Sequence, residues 1–160
     1  MELIMFHIVD DDEDIREVIK GLLGLMGYEA KSFSCPCDYL EYVKSDDFDP
    51  PYALLSDVQM PKMNGYEMIE QVRQIHPEIR TAIISGFPKY EGAGKGNSCA
   101  FLNKPIVMEE FQHIIESFVR CHEKGLNAEA YGCGSPQRHE DFEIDAWQCP
   151  HGSRCENCQQ

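Results

Sequence analysis

Four apolar runs, each of strand length and each ending on a chemically useful group, constrain this chain more than any other feature. Phe6-His7-Ile8-Val9 leads into Asp10-Asp11-Asp12, and Ala53-Leu54-Leu55-Ser56 leads into Asp57. Thr81-Ala82-Ile83-Ile84 leads into Ser85-Gly86, and Ala100-Phe101-Leu102-Asn103 leads into Lys104-Pro105. Strands that are apolar throughout are buried on both faces, as in a parallel sheet covered by helices on each side. Open sheets of that kind bind their ligands at the carboxyl edge of the strands. A single aspartate after a strand needs no function, because Asp is an ordinary loop former. Acids, a hydroxyl and a lysine delivered to the same kind of edge make a site.

The segments between these runs have helical period. Asp12 or Glu13 opens a helix whose apolar positions are Ile15, Val18, Ile19, Leu22, Leu23 and Met26, spaced by three and four on one face. Gly27 suits a left-handed cap at its end. Tyr28 to Phe33 alternates weakly and reads as a further short strand. Ser34 caps the next helix, with Pro36 tolerated in its first turn. Asp46 to Pro51 is a turn-rich break. Met68, Ile69, Val72 and Ile75 form another inward stripe, which Pro77 stops, and a long last helix turns Phe111, Ile114, Ile115 and Phe118 inward. Strand and helix alternate through five strands, and right-handed crossovers then imply a doubly wound, flavodoxin-like α/β sheet of order 2-1-3-4-5. His7 reads as a packed histidine of the first strand, and His76 and His113 as solvent-facing helix residues.

The segment Gly86 to Cys99 breaks the rhythm. Four glycines, Gly86 among them, and a proline fall within it, too many for a stable helix, so the fourth helix is expected to be short or absent. No Gly-Lys-Ser/Thr pattern occurs there to make it a phosphate-cradling loop.

The segment Leu55-Ser56-Asp57-Val58-Gln59-Met60-Pro61-Lys62-Met63-Asn64-Gly65 resembles the phosphoacceptor loop of two-component response-regulator receiver domains. The acidic cluster, the hydroxyl residue and the Lys-Pro pair fall in that family's order, and the likeness covers roughly residues 3–122. It implies a receiver of the single-domain, chemotaxis type over residues 1–122, with residues 123–160 as a Cys-rich extension. By the same resemblance Asp57 is the phosphoacceptor. Asp11, Asp57 and the backbone carbonyl of Gln59 would bind Mg2+, with Asp10 orienting the site. Ser85 and Lys104 would contact the phosphoryl oxygens, and Phe101 would be the switch aromatic. The family also implies a cis peptide between Lys104 and Pro105. Gln59 and Phe87 stand where the family controls the access of water to the phosphoryl group. The implied partners are a sensor histidine kinase or phosphotransfer protein, and an unknown downstream target protein.

Charge narrows the partners further. The formal net charge of −14 repels phosphate backbones and anionic membrane surfaces, so neither nucleic acid nor membrane is an expected partner. The first residues, Met1 to Phe6, are too short and too acidic for a signal peptide, and the expected location is cytoplasmic. An enzyme activity of its own is not expected.

Eight cysteines are many for a compartment that keeps thiols reduced, and they are unevenly placed. Cys133, Cys149, Cys155 and Cys158 crowd the tail, while the Cys35-Pro36-Cys37 pair reads as unpaired thiols. Residues 123–160 carry few large apolar side chains and cannot build a core of their own. Cys155-x-x-Cys158, with Cys149, Cys133 and His151 as a substitute ligand, has spacing compatible with one zinc ion. A redox clip and an undefined tail are the alternatives. The leading expectation is a phosphoacceptor response regulator in a phosphorelay, signalling by protein–protein contact. Its rival is a metal- or redox-responsive adaptor whose tail dominates, with the receiver as docking body.

Overall fold

The computed structural model describes residues 3–76, 79–86 and 100–123. Within them β1 (Met5–Val9), α1 (Glu13–Leu25), β2 (Glu29–Phe33), α2 (Pro36–Val43) and β3 (Ala53–Ser56) come first. They are followed by α3 (Gly65–Ile75), β4 (Arg80–Ser85), β5 (Ala100–Asn103) and α4 (Met108–Glu123). The five strands form one parallel sheet in the order β2-β1-β3-β4-β5. This is the doubly wound, flavodoxin-like sheet expected from the alternation. Residues 87–99, where the irregular loop in place of a helix was expected, lie outside the described residues.

Alternation along each strand divides the core in two. Phe6, Ile8, Ala53, Leu55, Ala82, Ile84, Ala100 and Leu102 pack with Ile19 and Leu23 of α1 and with Phe111, Ile115 and Phe118 of α4. The other faces of the same strands present Val9, Leu54 and Ile83 to Tyr39, Leu40 and Val43 of α2 and to Met68, Ile69 and Val72 of α3. Both sides of β3 and β4 are thereby closed, and every residue of these two strands is buried. The outer strand β2 is only half-buried, which fits its weaker alternation.

Caps fix where the helices start. The Asp12 carboxylate accepts from the backbone N–H groups of Asp14 and Ile15 and opens α1, and Gly27 follows its end with φ of +87°. Asn64 and Glu67 form a reciprocal capping box at α3. At α2 the expectation needs correction. Cys35, not Ser34, is the N-cap, and its side chain caps nothing, while Pro36 does lie in the first turn. Two residues of the expected inward stripes are also displaced. Val18 is 50% exposed because the buried line of α1 is centred on Ile19 and Leu23, and Val18 lies a step of about 100° to one side of Ile19. Ile75, the last residue of α3, is 42% exposed where the stripe has run out. His76 is half-buried, with its ring 4.6 Å from that of Phe48, rather than in solvent. His7 is buried as expected.

Candidate functional site

Parallel pairing carries the chain past the ends of β1 and β3 and sets two acids side by side. The Asp10 N–H donates to the Phe33 carbonyl at 3.2 Å, and the Asp57 N–H donates to the Val9 carbonyl at 3.0 Å. Asp10 and Asp57 therefore leave the centre of the sheet at neighbouring positions on its carboxyl edge. Asp10, Asp11 and Asp57 bring one carboxylate oxygen each within 4.8 Å of one another. Asp10 is buried, Asp57 is 9% exposed and Asp11 is open to solvent.

From β5, Lys104 reaches back into this cluster. Its Nζ lies 3.0 Å from Asp10 Oδ2 and 3.6 Å from Asp57 Oδ2. The Lys104 N–H donates to the Ser85 carbonyl at 2.8 Å, which extends the β4–β5 ladder to the same edge. The Lys104–Pro105 peptide is cis, as the resemblance implied. Ser85 is fully buried at the end of β4, and Phe101 is half-buried beside Ile83 and packs on the α2–α3 side of the core. Gln59 is exposed in the loop after Asp57.

The acids are held by more than Lys104. Asp10 Oδ1 accepts from the Asp12 N–H at 2.9 Å, and the Arg16 guanidinium donates to the Asp10 carbonyl at 2.7 Å. Asp57 Oδ1 accepts from the Val58 N–H at 2.8 Å. The loop from Asp57 to α3 is closed by the Gly65 N–H donating to the Val58 carbonyl at 2.9 Å. A side chain at Gly65 would fall on the Asp57 carbonyl oxygen and within 2.9 Å of Ser56 Oγ, so only glycine lets α3 start there. In the same loop Lys62 has φ of +73°, spanned by a hydrogen bond of 2.9 Å from the Met63 N–H to the Pro61 carbonyl.

Electrostatically the pocket is short of positive charge. Burial, first, and the neighbouring Asp10 charge push the Asp57 carboxyl above its ordinary range. Lys104 and the Val58 N–H pull it down, and Asp11 pushes it up again. One ammonium shared between two carboxylates, with a third beside them, leaves an all-oxygen cluster of net negative charge. That donor set suits a hard divalent cation such as Mg2+, which takes one or two carboxylates and completes its shell with water and phosphate oxygens.

Residues 6–116 match the family model of the response regulator receiver domain. The chain belongs to the response regulator receiver family. It is 27% identical over 116 residues to the response regulator protein PilR of Pseudomonas aeruginosa, a match covering 71% of this chain and 25% of PilR. It is 30% identical over 112 residues to the DNA-binding transcriptional regulator NtrC of Escherichia coli, covering 68% of this chain and 23% of NtrC. The chain thus spans about a quarter of the length of these relatives. Among solved structures, the CheY-like response regulator receiver domain of Methanospirillum hungatei superposes with a TM-score of 0.67 at 25% identity, covering 78% of this chain and 99% of that one. Receiver domains are the signalling modules of two-component systems. They take a phosphoryl group from histidine kinases and bind Mg2+ at the acidic pocket, which here is the Asp10, Asp11 and Asp57 cluster.

Of the residues singled out in the sequence, Asp10, Asp11, Asp57 and Lys104 meet directly, and Ser85, Phe101 and Gln59 lie on the same edge or beside it. Phe87, Cys133, Cys149, His151, Cys155 and Cys158 lie outside the described residues. Arg16 joins the site without a signal in the sequence, since a helix arginine six residues after Asp10 carries no motif. Asn64 and Glu67 did carry one, the capping-box spacing. Among the described residues no helix is long and apolar enough to cross a membrane.

Proposed function

We propose that this protein is a phosphoacceptor of a two-component phosphorelay, with Asp57 as the acceptor. The observation that supports this most is the meeting of Asp10, Asp57 and Lys104 at the carboxyl edge, with one cation shared between two buried acids. In this reading an Asp57 carboxylate oxygen attacks the phosphorus of a phosphohistidine on a kinase or phosphotransfer protein. The new O–P bond makes an acyl phosphate as the N–P bond breaks, and the histidine leaves with the electron pair. Asp11, Asp57 and the Gln59 carbonyl would hold Mg2+, with Asp10 orienting them. The ion supplies charge neutralisation for the acids and the incoming phosphoryl oxygens. Lys104 holds a phosphoryl oxygen through its ammonium, and the Ser85 hydroxyl donates to another. Phe101, packed beside Ile83, then follows Ser85 as the switch that carries the change to the β4–β5 surface.

The output is proposed to be protein–protein contact with a downstream target in the cytoplasm, without catalysis by the chain itself. The net charge of −14 supports this over contact with nucleic acid. The receiver is assigned to residues 1–122 and the Cys-rich extension to residues 123–160. A zinc ion on Cys133, Cys149, Cys155 and Cys158, or on His151 in place of one of them, is proposed from their spacing. Metal analysis of protein purified without chelator would find about one zinc per chain on that reading, and zinc-free protein would remove it.

The phosphoacceptor is tested with a small phosphodonor and Mg2+. Wild-type protein should gain one acid-labile phosphoryl group, and Asp57→Asn should gain none. Lys104→Met should retain folding and lose most of the incorporation. Undiminished labelling of Asp57→Asn would remove the assignment.

A further inference from the structure

The pair Cys35 and Cys37 stands apart from the pocket chemistry. Both are free thiols and both are half-buried. Cys35 is the N-cap of α2, extended at φ −143° and ψ 134°, yet its side chain caps no backbone N–H. Pro36, next in line, has no N–H to cap. One helical residue between two Cα atoms sets them about 5.4 Å apart, from the helix radius, rise and turn per residue. That lies inside the window of about 4.4–6.8 Å that a disulfide bridges.

The Cys35 thiol also acts on that of Cys37. Burial, then a hydrogen bond with Cys35, then the charge of Cys35 hold the Cys37 thiol above its ordinary range, with Asp38 adding to the rise and Lys62 opposing it. The proton is therefore held on Cys37, while Cys35 stands at the N-terminal, positive end of α2. Lys62 belongs to the loop that runs from Asp57 to α3, so the pair lies beside that loop.

We propose that Cys35 and Cys37 form a redox-active dithiol, a modification site that a peroxide closes to a disulfide and a thiol reductant reopens. The Cys35 thiolate attacks one peroxide oxygen. An S–O bond forms, the O–O bond breaks, and the hydroxide that leaves takes a proton to become water. Cys37 then attacks the Cys35 sulfur. The S–S bond forms, the S–O bond breaks, and the second hydroxide departs as water with the Cys37 proton. Two thiols and one hydrogen peroxide give one disulfide and two waters, with two electrons passing from sulfur to oxygen. A dithiol of the reductant reverses the step by exchange.

Trypsin cuts after Lys31 and Lys44 and releases Ser32–Lys44, a peptide holding Cys35 and Cys37 and no other cysteine. The full chain would be treated with equimolar hydrogen peroxide, alkylated, digested and weighed. The proposal expects this peptide to lose both alkylation sites together, to become two hydrogen atoms lighter, and to regain both sites with dithiothreitol. Cys37→Ser should leave a sulfenic acid on Cys35 that dimedone traps, and Cys35→Ser should leave Cys37 unoxidised at the same dose. The proposal is overturned if the wild-type peptide keeps both sites while other thiols of the chain oxidise. Pairing of either cysteine with a partner elsewhere, or equal oxidation of Cys37 in Cys35→Ser, overturns it too.

Discussion

His7 and Asp10 stand three residues apart on one strand and its exit, both 1% exposed, yet their surroundings answer burial in opposite ways. His7 closes on itself. Its Nδ1 lies 2.9 Å from the Tyr39 hydroxyl, and the rings of Phe33, Tyr39, Tyr42 and Phe48 meet it edge-on. Burial, with the Lys31 charge, lowers its pKa to about 4, so the imidazole is neutral and satisfied at neutral pH. Asp10 instead shares one ammonium with Asp57, and Asp11 adds a third carboxylate. A buried polar group whose neighbours complete it is architecture. One that leaves charge uncompensated at a sheet edge is a place for a ligand.

The two regions should respond to pH with opposite signs, and this is the largest effect expected. His7 has a lowered folded pKa, so the unfolded chain takes up its proton first. Its stabilising contribution is full above about 6.5 and is lost as pH falls toward about 4. A shift of that size corresponds to about 3 kcal/mol at the acid limit. Asp57 has a raised pKa, so its contribution is present at low pH and is lost as pH rises through the folded value. Urea unfolding across pH should give a steeper acid loss for wild type than for His7→Phe. Parallel profiles would end the distinction drawn for His7.

Gly65→Ala strikes the backbone of the pocket without touching a charge. Its Cβ would meet the Asp57 carbonyl, which α3 and the β3 exit hold in place, and the expected loss is about 2–3 kcal/mol in urea unfolding. Phosphoryl incorporation should fall with it. A variant as stable as wild type would mean that α3 can move away from Asp57 freely.

Lys62→Gly is the mildest test. A left-handed φ of +73° costs a non-glycine residue roughly 1–2 kcal/mol, offset in part by glycine's greater freedom when unfolded. A gain of up to about 1 kcal/mol is expected, with Mg2+ binding unchanged. Destabilisation would show that the Lys62 side chain, and not its backbone, matters to this loop.

The sheet order and the convergence of Asp10, Asp57 and Lys104 were legible because they rest on residue type and period. Continuous apolar runs specify parallel strands, and the residue just past each run must reach the same edge. Finer features were not legible for the opposite reason. Cys35 replaces Ser34 as the cap of α2 because the turn after β2 runs one residue further, and nothing local in Ser34-Cys35-Pro36 decides that. Val18 fits the stripe by spacing and is exposed because the buried line of α1 is centred on Ile19 and Leu23. Arg16 became part of the pocket only once α1 folded back over the end of β1.

The central claim is that the pocket around Asp57 lacks a positive charge and a divalent cation supplies it. Calorimetric titration of Mg2+ into wild-type protein and Asp57→Asn, at neutral pH and again in the carboxylate range, tests this most directly. The account predicts binding to wild type at neutral pH, weaker binding as protons compete for the raised Asp57 carboxyl, and a large loss in Asp57→Asn. Thermal unfolding should agree, with a stabilisation of about 1.4 kcal/mol at ten times the dissociation constant. Equal affinity in both proteins, or an affinity indifferent to pH, would contradict it.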